Sequence, residues 1–447
     1  MDHVAIIGGG FSGTLQAINL LRHDGPRATL IERQAVPGRG VAYSTAHPDH
    51  LLNVRAGNMS ALPQDPEHFI RWLARRRPDL SGFVPRLVYG DYLAELLAEA
   101  CAAAPDRLAI VHDEADDVAL SSDGAVISLA SGKRLSADLV ILAPGNLPPH
   151  IPRPLDPAAL PAGSFAAEPW SADVADGLGP DDTVLIVGSG LTMVDIALLL
   201  DARGFRGRMV ALSRRGLAPR AHADAAIPSS LDVRPPPHAV ALLRHVRDRS
   251  REVGWRSAVD ELRPYTESLW QAASLPERER FLRHLRAWWD VHRHRIAPQV
   301  ATRIEALRKE GRLDIVAGKL EAAEAHGDGT RVRYRPRGTI ETATIDVRRI
   351  VNATGPQGNV ERSEQPLIQR LLARGMIRPD PLRIGIDVTT QSEVIDARGN
   401  VQDRLLALGP MTRGTFWEIV AVPDIRRQTW SVARKLANAH WVGGEGL

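Results

Sequence analysis

The chain has 447 residues, 44% of them apolar and 24% charged, which excludes a disordered or collagen-like polymer and allows two or three domains of about 150 residues. The formal net charge of +3 gives no argument for a nucleic-acid partner, and the basic residues are nearly all arginine, with only Lys133, Lys309, Lys319 and Lys435 as lysines. The single cysteine, Cys101, excludes an internal disulfide, a CxxC redox pair and a cysteine-built zinc site, so electron transfer has to run through a bound cofactor.

The N-terminus enters a strand at once, without a basic leader or a cleavable apolar segment. No apolar run approaches the ~18 residues a bilayer span needs, so a cytoplasmic protein without a membrane partner is expected.

The strand Val4-Ala5-Ile6-Ile7 runs into Gly8-Gly9-Gly10-Phe11-Ser12-Gly13 and then into a helix through Arg22. A turn at Asp24-Gly25-Pro26 leads to a second strand, Ala28 to Arg33, completing a βαβ unit. Gly8 permits the tight turn, Gly10 lets the backbone approach a pyrophosphate, and Gly13 lets the helix pack close to the strand. Phe11 and Ser12 open the helix, where free N–H groups and the positive dipole end favour phosphate. Glu32, 24 residues after Gly8, is placed to bind both ribose hydroxyls, with Arg33 beside it.

The same plan starts again 180 residues later, at Gly188. Thr183 to Val187 is the strand, Gly188-Ser189-Gly190 the turn, Leu191 and Thr192 the helix start, and Arg208 to Ser213 the next strand. Ser213-Arg214-Arg215-Gly216 now stands where the first unit has its acid. A carboxylate there would repel a 2′-phosphate, whereas guanidinium groups bind one bidentately, so NADPH is expected in this unit and FAD in the first. The competing reading of Arg214 and Arg215 is two solvated surface arginines. Met193 replaces the third glycine, which sets helix and strand further apart.

Each unit has a downstream echo: a strand ending in Ala143-Pro144-Gly145, and another ending in Ala353-Thr354-Gly355. At Gly145 and Gly355 a ligand can approach the backbone closely. The proline-rich stretch from Ala143 to Pro161 is expected to be a linker. The expected fold is α/β, with two Rossmann-like nucleotide-binding domains of the glutathione-reductase type. Residues 1–150 and 360–447 would form the FAD-binding domain. Residues 151–359 would form the NADPH-binding domain, with a helical insertion at about 235–312. Within the insertion, His284, His292 and His294 lack an acid or cysteine to complete a ligand set, so no metal is expected.

The chain resembles a bacterial FAD/NAD(P)-binding protein family over nearly all its length. The resemblance lies in Gly8 to Gly13, Gly40-Val41-Ala42-Tyr43-Ser44, His50-Leu51-Leu52-Asn53-Val54 with Met59-Ser60, and Pro85-Arg86 with Tyr89-Gly90. It continues in Ser213 to Gly216, His292-Arg293-His294-Arg295, and Leu408-Gly409-Pro410 to Val422-Pro423-Asp424. More distantly the plan looks like the flavin-containing and N-hydroxylating monooxygenases, whose flavin-side asparagine Asn53 matches. Their Phe, Gly and His linker fingerprint is replaced here by Phe165-Ala166-Ala167-Glu168-Pro169-Trp170.

The resemblance implies that Gly409, Thr415 and Phe416 approach the flavin, with Thr415 capping a helix and Arg413 near the flavin or an anionic substrate. A plain turn and cap with an exposed arginine is the alternative. Tyr43, His47 and His50 are candidate acids or bases.

The expected function is that of an NADPH-dependent FAD flavoprotein oxidoreductase, a monooxygenase passing oxygen from dioxygen to nitrogen or sulfur of a small substrate. An FAD-dependent NADPH reductase or dehydrogenase without oxygen insertion, and a non-catalytic nucleotide-binding redox sensor, are the alternatives.

Overall fold

The computed structural model describes residues 1–44, 47–171, 173–223, 230–231 and 233–437. The expected C-terminal segment therefore extends, at 438–447, outside the described residues.

The apolar alternation of the first strand buries two layers. Within His3–Ile7, Val4 and Ile6 enter one core while Ala5 and Ile7 enter another on the opposite face. Strands buried on both faces belong in a parallel sheet covered by other elements on either side. The first sheet runs in the order Glu393–Ile395, Val401–Ala407, Leu139–Leu142, His3–Ile7, Arg27–Glu32 and Leu108–His112. All neighbours are parallel except the first pair. The chain thus leaves this sheet and returns to it more than 200 residues later, through Val401–Ala407. A small antiparallel sheet, Ala115–Leu120, Ala125–Leu129 and Arg134–Ala137, covers one face.

The second sheet repeats the plan. Val184 and Ile186 of Thr183–Val187 face one core, Leu185 and Val187 the other. Its order is Ala343–Val347, Gly329–Pro336, Leu313–His326, Arg208–Ser213, Thr183–Val187, Arg349–Asn352 and Phe165–Ala166. In both sheets the order reverses beside the strand that leads into the glycine turn, and such a switch point opens a crevice at the strand ends.

Between the strands Arg208–Ser213 and Leu313–His326 of this sheet the chain forms helices Ala239–Asp260, Thr266–Ala272, Leu275–Arg280, Arg286–Arg293 and Pro298–Lys309. These helices reach back to the C-terminal part of the chain: Trp270 Nε1 donates to the Gly414 carbonyl at 2.8 Å and Trp289 Nε1 to Glu418 Oε1 at 2.9 Å. Arg349 fixes the connection before the second sheet, donating to the carbonyls of Gly163, Asp173, Val174 and Asp176. Among the described residues no helix is long and apolar enough to cross a membrane.

Candidate active site

The two glycine turns have matching backbones. Gly8 has φ +103° and Gly188 φ +122°, and a Cβ would lie 2.3 Å from the Ala143 carbonyl oxygen in the first and 2.2 Å from that of Ala353 in the second. Only glycine fits there. The helices Phe11–Arg22 and Leu191–Ala202 start from Gly10 and Gly190, with no capping side chain and no acid in the first turn. Their leading N–H groups are left for an anion. Gly145 (φ +71°) and Gly355 (φ +81°) face open space, with no atom within 4 Å of the point a Cβ would occupy. These are cradles that side chains would fill and that a pyrophosphate fits.

Glu32 ends its strand as the spacing predicts. Its carboxylate accepts from Gly9 N at 2.6 Å and Gln34 N at 2.8 Å, which fixes its direction and leaves each oxygen a further lone pair for a ribose hydroxyl. Arg33 is drawn to Glu114 at 2.9 Å on the exposed side. The register places Ser213 opposite Gly188 just as Glu32 lies opposite Gly8, since Val187 pairs with Leu212 and Ile7 with Ile31. The Ser189 and Ser213 hydroxyls are 2.7 Å apart, and Gly216 N donates to Ser213 at 3.0 Å. Arg214 is exposed, while Arg215 donates to the Arg283 carbonyl of the helical region at 3.3 Å.

Asn53 and Leu191 share one cleft with Leu51, Arg86, Asp195 and Ile296. Thus the candidate catalytic residue of the first unit lies against the helix start of the second. Arg86 Nη1 and Nη2 donate to the Asp195 carboxylate at 2.7 and 3.1 Å, a bidentate pair with the acid 7% exposed. His50 Nδ1 accepts from His47 N at 3.0 Å, so its Nε2 carries the proton and donates to the Asp195 carbonyl at 2.9 Å. His222 Nε2 donates to the Asn53 carbonyl at 2.9 Å. Burial lowers the pKa of both His50 and His222, keeping the rings neutral. With both nitrogens of His50 engaged, it serves as a joint rather than an acid or base. Burial pushes Tyr43 up to about 12, which removes it as a base near neutral pH.

Sequence reasoning missed Asp195 and His222. The signal for Asp195 was an acid within the apolar stretch 193–200 of the helix Leu191–Ala202. His222 carries no comparable local signal.

In the C-terminal segment, a Cβ at Gly409 would meet Ser12 Oγ at 2.2 Å, so this turn presses on the first helix start. Thr415 does not cap a helix as expected: its hydroxyl donates to the Val388 carbonyl at 2.9 Å, and the next helix is Val422–Leu436, entered from Ala421. Phe416 is 8% exposed and packs in the core below the first sheet, so it offers a ligand little surface. Both follow from the segment's apolar content, which turns Phe416 and Trp417 inward instead of onto one helix face.

Arg413 sits above Trp417, its guanidinium carbon 4.3 Å from the ring centre. Burial is the first cause, and the Arg286 charge the second, that hold it down to about 10. The expected histidine group separates: His292 bonds the Trp288 carbonyl, while His294 turns inward beside Glu418 and Arg293. Among the described residues no group of three or more His, Cys, Asp and Glu could hold a metal.

Residues 5–147 match the family model described as FAD-NAD(P)-binding, so the chain carries an FAD/NAD(P)-binding domain. No curated protein matches the chain in sequence. Among solved structures it is similar to the reduced ornithine hydroxylase of Pseudomonas aeruginosa, at 15% identity and TM-score 0.68, covering 98% of both chains. It is also similar to the ornithine N-hydroxylase of Kutzneria sp. 744 with reduced FAD, NADP+ and L-ornithine, at 14% identity and TM-score 0.63, covering 98% of this chain and 99% of that one. The thioredoxin reductase of T. acidophilum matches at 13% identity and TM-score 0.53, covering 98% and 99%. The fold is that of the two-domain FAD/NAD(P)-binding flavoproteins.

Proposed function

We propose that the protein is an NADPH-dependent FAD monooxygenase that transfers one oxygen atom to nitrogen or sulfur of a small substrate. The observation that supports this reading is the small pocket shared by Asn53, from the first unit, and Leu191, at the helix start of the second, joined by the Arg86–Asp195 pair. The neighbours that share both domains include enzymes that hydroxylate the amine of ornithine. When bound, FAD supplies the two-electron chemistry that carries reducing equivalents from NADPH to dioxygen. The overall reaction balances as R–NH2, NADPH, a proton and O2 giving R–NHOH, NADP+ and water.

The chain's own contributions follow from its geometry. In the first cradle, Gly8, Gly10, Phe11, Ser12 and Gly13 hold the FAD pyrophosphate, Glu32 the ribose, Gly145 allows close approach, and Gly409 lets its turn pack on Ser12. In the second, Gly188, Gly190, Leu191 and Thr192 hold the NADPH pyrophosphate, with Gly355 at the switch point. Ser213 removes the repelling carboxylate, and Arg214 and Arg215 receive the 2′-phosphate. Asn53, its carbonyl held by His222, presents its amide at the cleft, and the leucines around it exclude water.

The test is purification with flavin, then NADPH oxidation against small amines, amino acids and thiols, with product mass recorded. A yellow protein giving a product one oxygen heavier supports the reading. Hydrogen peroxide equal to the NADPH consumed, with every amine and thiol, makes it a reductase instead. A colourless protein that takes up no flavin removes both.

A further inference from the structure

The strand end at the second cradle receives positive charge from two parts of the chain. Arg214 and Arg215 follow Ser213 in the turn itself. Arg215 is half-buried, and its Nη2 donates to the Arg283 carbonyl at 3.3 Å. That bond brings the helical region, 68 residues further along, against the position that Glu32 holds in the first cradle. The backbone there is a widened turn, Phe281–Leu285, in which Arg286 N donates to the Phe281 carbonyl. Such wide turns occur frequently at functional sites.

The Arg283 side chain springs from the Cα beside the carbonyl that Arg215 holds, so its guanidinium is within reach of an anion that Arg215 touches. It is exposed, as are Arg280 and His284, and no acid occurs from Arg280 to Trp289. Among the described residues neither Arg214 nor Arg283 forms an ion pair. By contrast, Arg208, Arg331 and Arg335 of the same domain face acids at 2.7, 2.7 and 3.3 Å. A 2′-phosphate carries close to two negative charges and three acceptor oxygens at neutral pH, enough to engage three guanidinium groups.

We propose that the helical region completes the 2′-phosphate subsite, with Arg283 as a third cation that sets the preference for NADPH over NADH. Arg215 then acts twice: its free N–H groups face the phosphate, and its bond to the Arg283 carbonyl holds the third guanidinium at the site. This rests on NADPH occupying the second cradle, and not on where the reducing equivalents go.

The test uses the FAD-loaded protein and two probes that differ only in the 2′-phosphate, adenosine 2′,5′-bisphosphate and adenosine 5′-monophosphate. By calorimetry the parent should bind the bisphosphate at least about tenfold more tightly. Arg283→Ala should narrow that ratio about three- to tenfold by weakening the bisphosphate alone. Arg283→Lys should keep part of it, and Arg283→Glu should narrow it further by repulsion. In turnover, Arg283→Ala should raise the KM for NADPH by a similar factor and move that for NADH little. Because Arg215 bonds the backbone of Arg283, the alanine variant keeps that joint, and its melting temperature should match the parent. Arg333→Ala controls for general charge and should leave the ratio unchanged. Arg333 is also exposed and without an ion pair among the described residues, but it lies opposite Ala322, whereas Ser213 lies opposite Ala317.

An unchanged ratio in Arg283→Ala, an equal loss for both probes, or an equal narrowing by Arg333→Ala overturns the proposal. So does a marked fall in the melting temperature of Arg283→Ala, which would make the residue structural. An unchanged ratio would leave NADPH in the second cradle, read by Arg214 and Arg215 alone. A parent that binds both probes alike, or neither at millimolar concentration, overturns the proposal together with the NADPH assignment. Hydrogen peroxide in place of an oxygenated product, with the ratio narrowed as expected, would leave this subsite standing and remove the monooxygenase reading.

Discussion

The two glycine cradles share a backbone and differ in a coordinated set of side chains. Gly8 and Gly188, Gly10 and Gly190, and Gly145 and Gly355 are superposable in role and in dihedral sign. The other positions change together. A Cβ at Gly9 would lie 2.8 Å from the Glu32 Cβ and 3.1 Å from its Cγ, so the first turn has no room for a side chain there, whereas the second turn carries Ser189, whose hydroxyl meets that of Ser213 at 2.7 Å. A Cβ at Gly13 would lie 1.8 Å from the Gly8 carbonyl oxygen, yet the counterpart, Met193, is fully buried in its own core. The second helix therefore stands further off its turn. The comparison supports the proposal that the repeated backbone provides for phosphate, while the end of the next strand selects the nucleotide.

The largest expected effect comes from imposing the second cradle's tolerance on the first. Gly13→Ala should cost about 3 kcal/mol or more and abolish flavin retention, read as absorbance per protein, whereas Met193→Ala should leave the flavin complement intact. Full flavin in Gly13→Ala would break the comparison.

Next comes exchange of the selecting residues. Arg214→Ala with Arg215→Ala should raise the KM for NADPH about tenfold to a hundredfold while that for NADH barely moves. Adding Ser213→Glu should turn the preference toward NADH. Equal changes for both nucleotides would remove the role given to these residues.

The smallest effect lies at the seam between the cradles. The burial-lowered His50 and His222 take up protons less readily when folded than at their ordinary value of 6.5. Their neutral forms thus favour folding above pH 6.5, and that contribution is lost as pH falls through the lower folded values. Calorimetric melting temperatures should drop by a few degrees on acidification below that point, and less in His222→Asn. An unchanged slope in that variant would count against the assignment.

The parts legible in the sequence were those governed by local geometry. Positive-φ glycines, strands bounded by them and an acid at a fixed spacing leave their mark within a few dozen residues, which is why Gly8, Glu32 and Gly188 could be read directly. Arg86 and Asp195 are 109 positions apart, and nothing near either residue announces the other. The arginine-rich composition hid Arg349 among residues that could equally have been solvated. At Thr415 the string Thr-Phe-Trp-Glu imitates a capping box, and the tertiary core overrode it.

The Arg86–Asp195 pair bears on how the two modules are held together. Parting the two modules at that joint would strand a guanidinium and a carboxylate amid leucines, whose side chains offer neither a donor nor an acceptor. Separating the modules at that joint is therefore costly, and the pair favours the arrangement in which Asn53 and Leu191 stay together.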